Sequence, residues 1–173
     1  MTPRVEVLST PRLTLRHLTL EDAAFMLELL NEKPFLENIG DRGVRNLADA
    51  KAYLAKGAIA SYQDFGFGLY AVERKDTAEP IGICGLSKRE SLDHPDLGFA
   101  LLKKFHGQGY ARESAEAVLH YARKTLGLRR IEAITKPQNR ASIRLLENLG
   151  FRFEKTIRMP DDKADTSLFA SEP

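Results

Sequence analysis

The sequence predicts a mixed α/β (α+β) domain: a mostly antiparallel sheet of about seven strands with one parallel pair, flanked by about four helices. Three observations carry this reading. Apolar or alternating runs and longer runs of helical spacing follow one another as strand, two helices, three strands, helix, strand, helix, two strands. The strand-helix-strand unit from Asp96 to Thr135 needs a crossover, which makes its two strands parallel neighbours. A length of 173 residues, with 43% hydrophobic and 29% charged side chains, suits one domain over residues 1–173 with a real core.

Arg12–Arg16 alternates apolar and polar residues after Pro11 and reads as the first strand. Thr19 then caps a helix, with Asp22 three residues on and Leu20, Ala23, Ala24, Leu27 and Leu30 along one face. Asn31–Arg45 contains Pro34, Gly40 and Gly43 and reads as a loop. Asn46–Gln63 returns to helical spacing, weakened by Gly57. Gly68–Arg74 and Ile81–Leu86 form a hairpin around Lys75–Glu79, and Asp96–Leu102 is the next strand. Arg112–Leu126 is an amphipathic helix with Ala115, Val118, Leu119, Ala122 and Leu126 inward. Arg129–Thr135 is a strand, and Asn139–Leu149 a helix closed by Gly150. Phe151–Arg158 and Thr166–Phe169 read as a closing hairpin whose edge could support a dimer.

A net charge of +2 gives no strong field for nucleic acid or an anionic membrane. No apolar stretch is long enough for a bilayer span, and Met1–Glu6 shows no signal-peptide core. The single cysteine, Cys84, lies in an apolar run and reads as a small core residue. These features point to a cytoplasmic protein. The four histidines and Cys84 show no metal-ligand spacing, so no metal is expected. Arg129-Arg130 reads as a solvated pair, and Phe65-Gly66-Phe67-Gly68 as packing where a strand begins.

The most informative segment is His106-Gly107-Gln108-Gly109-Tyr110-Ala111, placed where a strand turns into a helix. Free N–H groups and the positive end of the helix dipole converge there, and glycines let the backbone approach a ligand. A phosphate or pyrophosphate site and a plain connector both fit the turn alone. It lacks the Gly-Lys-Ser/Thr of a Walker loop and the three-glycine spacing of a dinucleotide fingerprint. Its place at the C-terminal end of its strand, where ligands of open α/β sheets bind, favours the phosphate reading.

That element order with that turn resembles the GNAT superfamily of acetyl-CoA-dependent N-acetyltransferases over nearly the whole chain. The family motif Gln/Arg-x-x-Gly-x-Gly/Ala stands here as His106-x-x-Gly109-x-Ala111, with His106 a departure. Asn139-Arg140-Ala141-Ser142, followed by Leu145–Phe151, is similar to the family's second signature. Arg12-Leu13-x-Leu15-Arg16, Ile81-Gly82, Gly85-Leu86 and Leu97-Gly98-Phe99 look like the branch of ribosomal-protein N-terminal acetyltransferases, the Rim-type enzymes.

The resemblance implies a splayed parallel strand pair that admits the pantetheine arm of acetyl-CoA, the acetyl donor. Phe99, Ala100, Leu101 and Leu102 would line that arm, with a backbone N–H near Leu101 facing the thioester oxygen. Gly107, Gln108, Gly109, Tyr110, Ala111 and Arg112 would hold the pyrophosphate through main-chain amides. Asn139 would reach the pantetheine, besides serving as a helix N-cap. Ser142 is either near the sulfur or a solvated helix hydroxyl. Asp96 is the first candidate for the catalytic base; the alternative is a surface residue after Pro95. Glu90, Asp93 and His94 share its loop. Many family members carry a tyrosine as thiol acid where this chain has Leu146, so Ser142 or water would serve, or no acid at all.

The acceptor is a primary amine. A peptide or protein N-terminal α-amine, with a pKa of about 8, needs less help than a lysine amine at about 10.4. A small amine (amino acid, polyamine or aminoglycoside) is the alternative, kept open by Glu32, Glu37, Asp41, Glu90, Asp93 and Asp96 in the loops expected around the acceptor. A CoA-binding module without turnover is a third reading. Monomer and homodimer both fit.

Overall fold

The computed structural model describes residues 2–173. Strands β1 (Glu6–Ser9) and β2 (Leu13–His17) lead into a 3-10 turn, Leu20–Asp22, and helices α1 (Ala23–Leu30) and α2 (Lys33–Asn38). Next come α3 (Leu47–Leu54), a π-helical stretch Ala55–Ile59 and α4 (Ala60–Phe65). Strands β3 (Leu69–Arg74), β4 (Pro80–Ser87) and β5 (Asp96–Leu101) follow, then α5 (Tyr110–Lys124), β6 (Ile131–Thr135), α6 (Arg140–Asn148), β7 (Arg152–Ile157) and β8 (Thr166–Ser171). One sheet runs in the order β1-β2-β3-β4-β5-β6-β8-β7. Every neighbouring pair is antiparallel except β5–β6.

The expected fold is present, with an eighth strand added at one edge. β1 was not expected: only Val7 and Leu8 are apolar in it, too few to show a period. The segment Asn31–Arg45, expected to be a loop, contains α2. Pro34 sits in the first turn of that helix, where its missing N–H costs nothing. Phe35 and Val44 bury themselves, and Asn31 Nδ2 donates to Leu27 O and Val44 O at 2.8 Å each. The expected 46–63 helix is a continuous helical run over 47–65, relaxed to π geometry around Gly57. β7 forms one sheet edge, as the closing hairpin suggested.

Packing follows the sequence pattern. α5 buries Ala115, Val118, Leu119 and Ala122 against the sheet. Each large apolar side chain buried this way contributes roughly 1.5–3 kcal/mol. Thr19 caps the turn before α1: its N–H donates to Asp22 Oδ2 at 2.9 Å, and its Oγ1 accepts from Glu21 N–H at 3.2 Å. Asp22 also accepts two bonds from the buried Arg16 guanidinium, whose Nε donates to Glu73 at 2.6 Å. The Asp22 hydrogen bonds, opposed by burial and backed by Glu73, hold the Arg16 charge firmly in place. Phe67 is buried where β3 begins, and Phe65, itself exposed, stacks on it. No helix among the described residues is long and apolar enough to cross a membrane.

Candidate active site

β5 ends at Leu101, and a 3-10 turn, Lys103–Phe105, leads to Gly107 and Gly109, with φ of +75° and +82°. Both lie in the left-handed region that side chains other than glycine rarely adopt. α5 starts at Tyr110 without a side-chain cap. Its first bond is Glu113 N–H to Gly109 O at 3.0 Å. The N–H groups of Tyr110, Ala111 and Arg112 therefore lack a helical acceptor. Those of Gly107, Gln108 and Gly109 also lack one among the described residues. A run of free donors beside the dipole of a 15-residue helix fits a diphosphate. The side chains stand aside: Tyr110 is buried edge-on to Phe105, Arg112 pairs with Glu116, and Gln108 Nε2 donates to Lys104 O.

Arg12 and Glu113 brace this turn. Arg12 Nη1 donates to Gln108 O at 3.0 Å, and its guanidinium lies 4.3 Å from the Tyr110 ring centroid. Glu113 accepts from Arg12 Nε at 2.7 Å, from Arg12 N–H at 3.0 Å and from Thr10 Oγ1. Partial burial pushes the Glu113 carboxyl up, but these hydrogen bonds outweigh it and hold the group below the ordinary range. The partners lie about a hundred positions apart in sequence. Only Arg12 carried a signal, as part of the family-like Arg-Leu-x-Leu-Arg run.

The parallel pair is splayed. β5 and β6 register at Asp96 and Glu132 alone, where Glu132 N–H donates to Pro95 O at 2.9 Å. Beyond that apex they part. Leu102 N–H donates to Ile81 O at 2.8 Å, and alternation along the strand fixes the rest. Ala100 turns its peptide groups to β4, while Phe99 and Leu101 turn theirs into the gap. Of the four residues expected along a pantetheine arm, Phe99 and Leu101 therefore present main-chain groups. The Leu102 side chain lies in the core and its donor is used inside the sheet. His106 does not face the turn: its Nε2 donates to the Leu101 carbonyl at 2.9 Å. α2 ties the two lips together. Glu32 Oε1 accepts from Lys103 N–H at 2.8 Å, and Glu37 O accepts from Lys136 Nζ at 2.7 Å.

Asp96 is not the surface residue that its place after Pro95 allowed: it is 1% exposed. Arg89 Nε reaches both its oxygens, at 3.1 and 3.3 Å. Burial pushes this carboxyl above the ordinary aspartate range; Arg89 draws it back, and neighbouring Glu132 adds to the rise. A carboxyl so raised, at the apex of a cleft, has the character of a general base. Sequence reasoning missed Glu132, which is 4% exposed and registers with Asp96. A glutamate inside a short β-strand gave no sign of this pairing. Glu90 is exposed, while Lys88 Nζ donates to Arg89 O and Leu92 O and folds the loop that carries Asp93 and His94.

Across the gap, Asn139 caps α6: its Oδ1 accepts from Ser142 N–H at 3.2 Å. Asn139 and Ser142 are both half-buried, and Ser142 Oγ keeps its hydrogen-bonding capacity free among the described residues. Leu146 lies in the core at 1% exposure, so no acid replaces the tyrosine at that position. Cys84 is fully buried, and burial pushes its thiol up to about 12 against a weaker pull from Ser114. It is an inert core residue. No group of three or more His, Cys, Asp or Glu among the described residues is arranged to hold a metal ion.

The acetyltransferase (GNAT) domain family matches residues 12–152. The chain is 28% identical over 155 residues to the "Uncharacterized N-acetyltransferase p20" of Bacillus licheniformis, covering 89% of this chain and 86% of that protein. It is 35% identical over 92 residues to the ribosomal protein uS5-alanine N-acetyltransferase of Escherichia coli, covering 52% of this chain and 46% of that one. The solved acetyltransferase of Agrobacterium tumefaciens superposes with a TM-score of 0.81 at 26% identity, covering 100% of this chain and 96% of the other.

Proposed function

The chain belongs to the GNAT acetyltransferase family, and from that premise we propose that it acetylates the α-amine at the amino terminus of a peptide or protein. It is an acetyl-CoA-dependent N-acetyltransferase. Acetyl-CoA supplies a thioester whose carbonyl is open to attack by a neutral amine. The observation that carries the reading is the run of unpaired main-chain donors at residues 107–112, beside a gap edged by the peptide groups of Phe99 and the N–H of Leu101, whose carbonyl is taken by His106.

In this reading Gly107–Arg112 hold the diphosphate, and Leu101 N–H stabilises the thioester oxygen as charge develops there. Asn139 orients the arm from the far lip. Asp96, ionised, takes a proton from the incoming amine. That proton comes from the ammonium form of the acceptor; the C–N bond then forms and the C–S bond breaks, and of the two protons left on nitrogen one stays on the amide and the other ends on the departing thiolate. Ser142 or water can pass that proton; a thiol with a pKa of about 8.5 leaves readily without it. Two considerations support an α-amine. A modest base suffices for a group with a pKa of about 8, and one relative is a ribosomal protein uS5-alanine N-acetyltransferase. The cytoplasmic location, the single domain over residues 1–173 and a monomeric or homodimeric state belong to the same proposal.

The test is twofold. Calorimetry should show CoA binding, and thiol release from acetyl-CoA should proceed with a free-amine peptide but not with its N-blocked form. Absence of CoA binding overturns the reading. Turnover with polyamines but not with peptides moves it to the small-amine alternative.

A further inference from the structure

Glu132 Oε1 is the one carboxylate oxygen that is buried without a hydrogen-bond partner among the described residues. The other oxygen accepts from Arg130 Nη2 at 3.0 Å, but that guanidinium also serves Glu154 and Glu172. Arg89 is engaged with Asp96, the register partner of Glu132. Four carboxylates thus share two guanidinium groups, and a buried oxygen left over in such a cluster invites a cation. Glu132 also lines a cavity of about 140 Å³. Ser91 and Asp93 contribute to its wall from the loop before β5, and Lys155 and Arg158 from the closing hairpin. Arg158 makes one long, exposed contact, to Asp165 at 3.4 Å, and Lys155 has no ion-pair partner among the described residues. Glu132 therefore closes the cleft apex through its backbone and also lines the cavity, with its Oε1 buried in the wall.

We infer that this cavity docks the acceptor, its amino group on Glu132 Oε1 and Asp93, and a carboxylate carried close to that amine on Lys155 and Arg158. The inference rests on the acetyl-transfer reading and narrows it. The acceptor is an α-amine with a carboxylate a few atoms away, as in a free amino acid or in a peptide with an acidic residue next to its N-terminus. A polyamine, with a second cation in that place, meets Lys155 and Arg158 and is rejected.

Thiol release from acetyl-CoA is measured with two acceptor pairs: Ala-Asp-Ala amide against Ala-Asn-Ala amide, and alanine against alaninamide. A charge-assisted contact of this kind corresponds to roughly tenfold or more in kcat/KM. The carboxylate-bearing member of at least one pair should win by about that factor; the first pair identifies a peptide, the second a free amino acid. In the Lys155→Met/Arg158→Met double variant the preference should fall below about twofold. Glu132→Gln should raise KM for the amine roughly tenfold or more while KM for acetyl-CoA stays within about twofold, which a general loss of structure would not do. Equal rates within both pairs, a preference that survives the double variant, or an unchanged amine KM in Glu132→Gln overturns the inference and leaves the acetyl-transfer reading standing. Absence of acetyl-CoA binding overturns both.

Discussion

Replacing Gly109 by alanine tests whether the turn before α5 grips a diphosphate. At φ +82° an alanine is strained by about 1–2 kcal/mol. Its Cβ would also lie 3.3 Å from Arg12 Nη2, a flexible group that can yield. If the turn keeps its shape, the melting temperature falls by roughly 2–8 °C, from about 2–4 °C per kcal/mol in a chain of this size. If the backbone instead relaxes, the N–H groups of Tyr110, Ala111 and Arg112 are re-aimed. Losing two charge-assisted hydrogen bonds at about 1.5–3 kcal/mol each weakens CoA binding by a hundredfold or more. Gly127→Ala is the matched control: its φ is +69°, nothing lies within 4 Å of the new Cβ, and it follows the far end of α5. It should lose similar thermal stability and keep CoA affinity within about twofold. Calorimetry with CoA, alongside thermal melts of both variants, makes the comparison. A Gly109→Ala variant that melts higher than the Gly127→Ala control, so that its backbone has relaxed, and yet matches that control in CoA affinity would refute the phosphate role of the turn.

Asp96→Asn should lower kcat/KM and remove from its pH profile the part of the rise set by the Asp96 carboxyl, leaving the rise that follows deprotonation of the amine itself, read from pH-rate profiles. The Asp96 carboxyl is raised by burial, with Arg89 opposing, so the folded state holds that proton more tightly than the unfolded chain. Stability should therefore decline as pH climbs from about 3.9 through the raised folded value and then level off; urea titrations at several pH values should show this slope removed in the asparagine variant. Glu73→Ala removes one of the two carboxylates on the buried Arg16 guanidinium, leaving its two bonds to Asp22, and should cost about 1.5–3 kcal/mol in urea unfolding. Cys84, its thiol pushed up to about 12 by burial, should resist alkylation at pH 8 in the folded protein and react promptly in denaturant.

What was legible in the sequence was what local chemistry decides. The paired glycines marked the turn, Asn139 marked a helix cap, and the spacing of Ala115, Val118, Leu119 and Ala122 marked the inner face of α5. What was not legible depends on partners distant in the chain. β1 is held by pairing with β2 and by the His17 N–H to Val5 O bond, not by any period of its own. α2 carried a readable sign in Pro34, but Gly40 and Gly43 outweighed it, and Asn31 and Phe35 supply the anchoring. The Arg12–Glu113 brace and the pairing of Asp96 with Glu132 exist only once the strands are in register.

That register pair departs from the rest of its strands. Leu97, Ile131 and Ala133 fill β5 and β6 with apolar, buried side chains. At Asp96 and Glu132 two carboxylates lie buried side by side instead. Buried ion pairs seldom stabilise a fold beyond what apolar side chains of the same volume would give. Packing alone has no use for this pair at the one position where β5 and β6 still meet. Just beyond it, Phe99 and Leu101 turn peptide groups into a gap that no strand fills; His106 takes the Leu101 carbonyl, and the Phe99 groups and the Leu101 N–H need a polar partner. The gap opens toward the Gly107–Gly109 turn, and the cavity of Glu132 opens beside Lys155. A donor held at the turn and an amine held in the cavity would converge on Asp96. A local breach of core packing at such a meeting point is what a proton-transfer site requires.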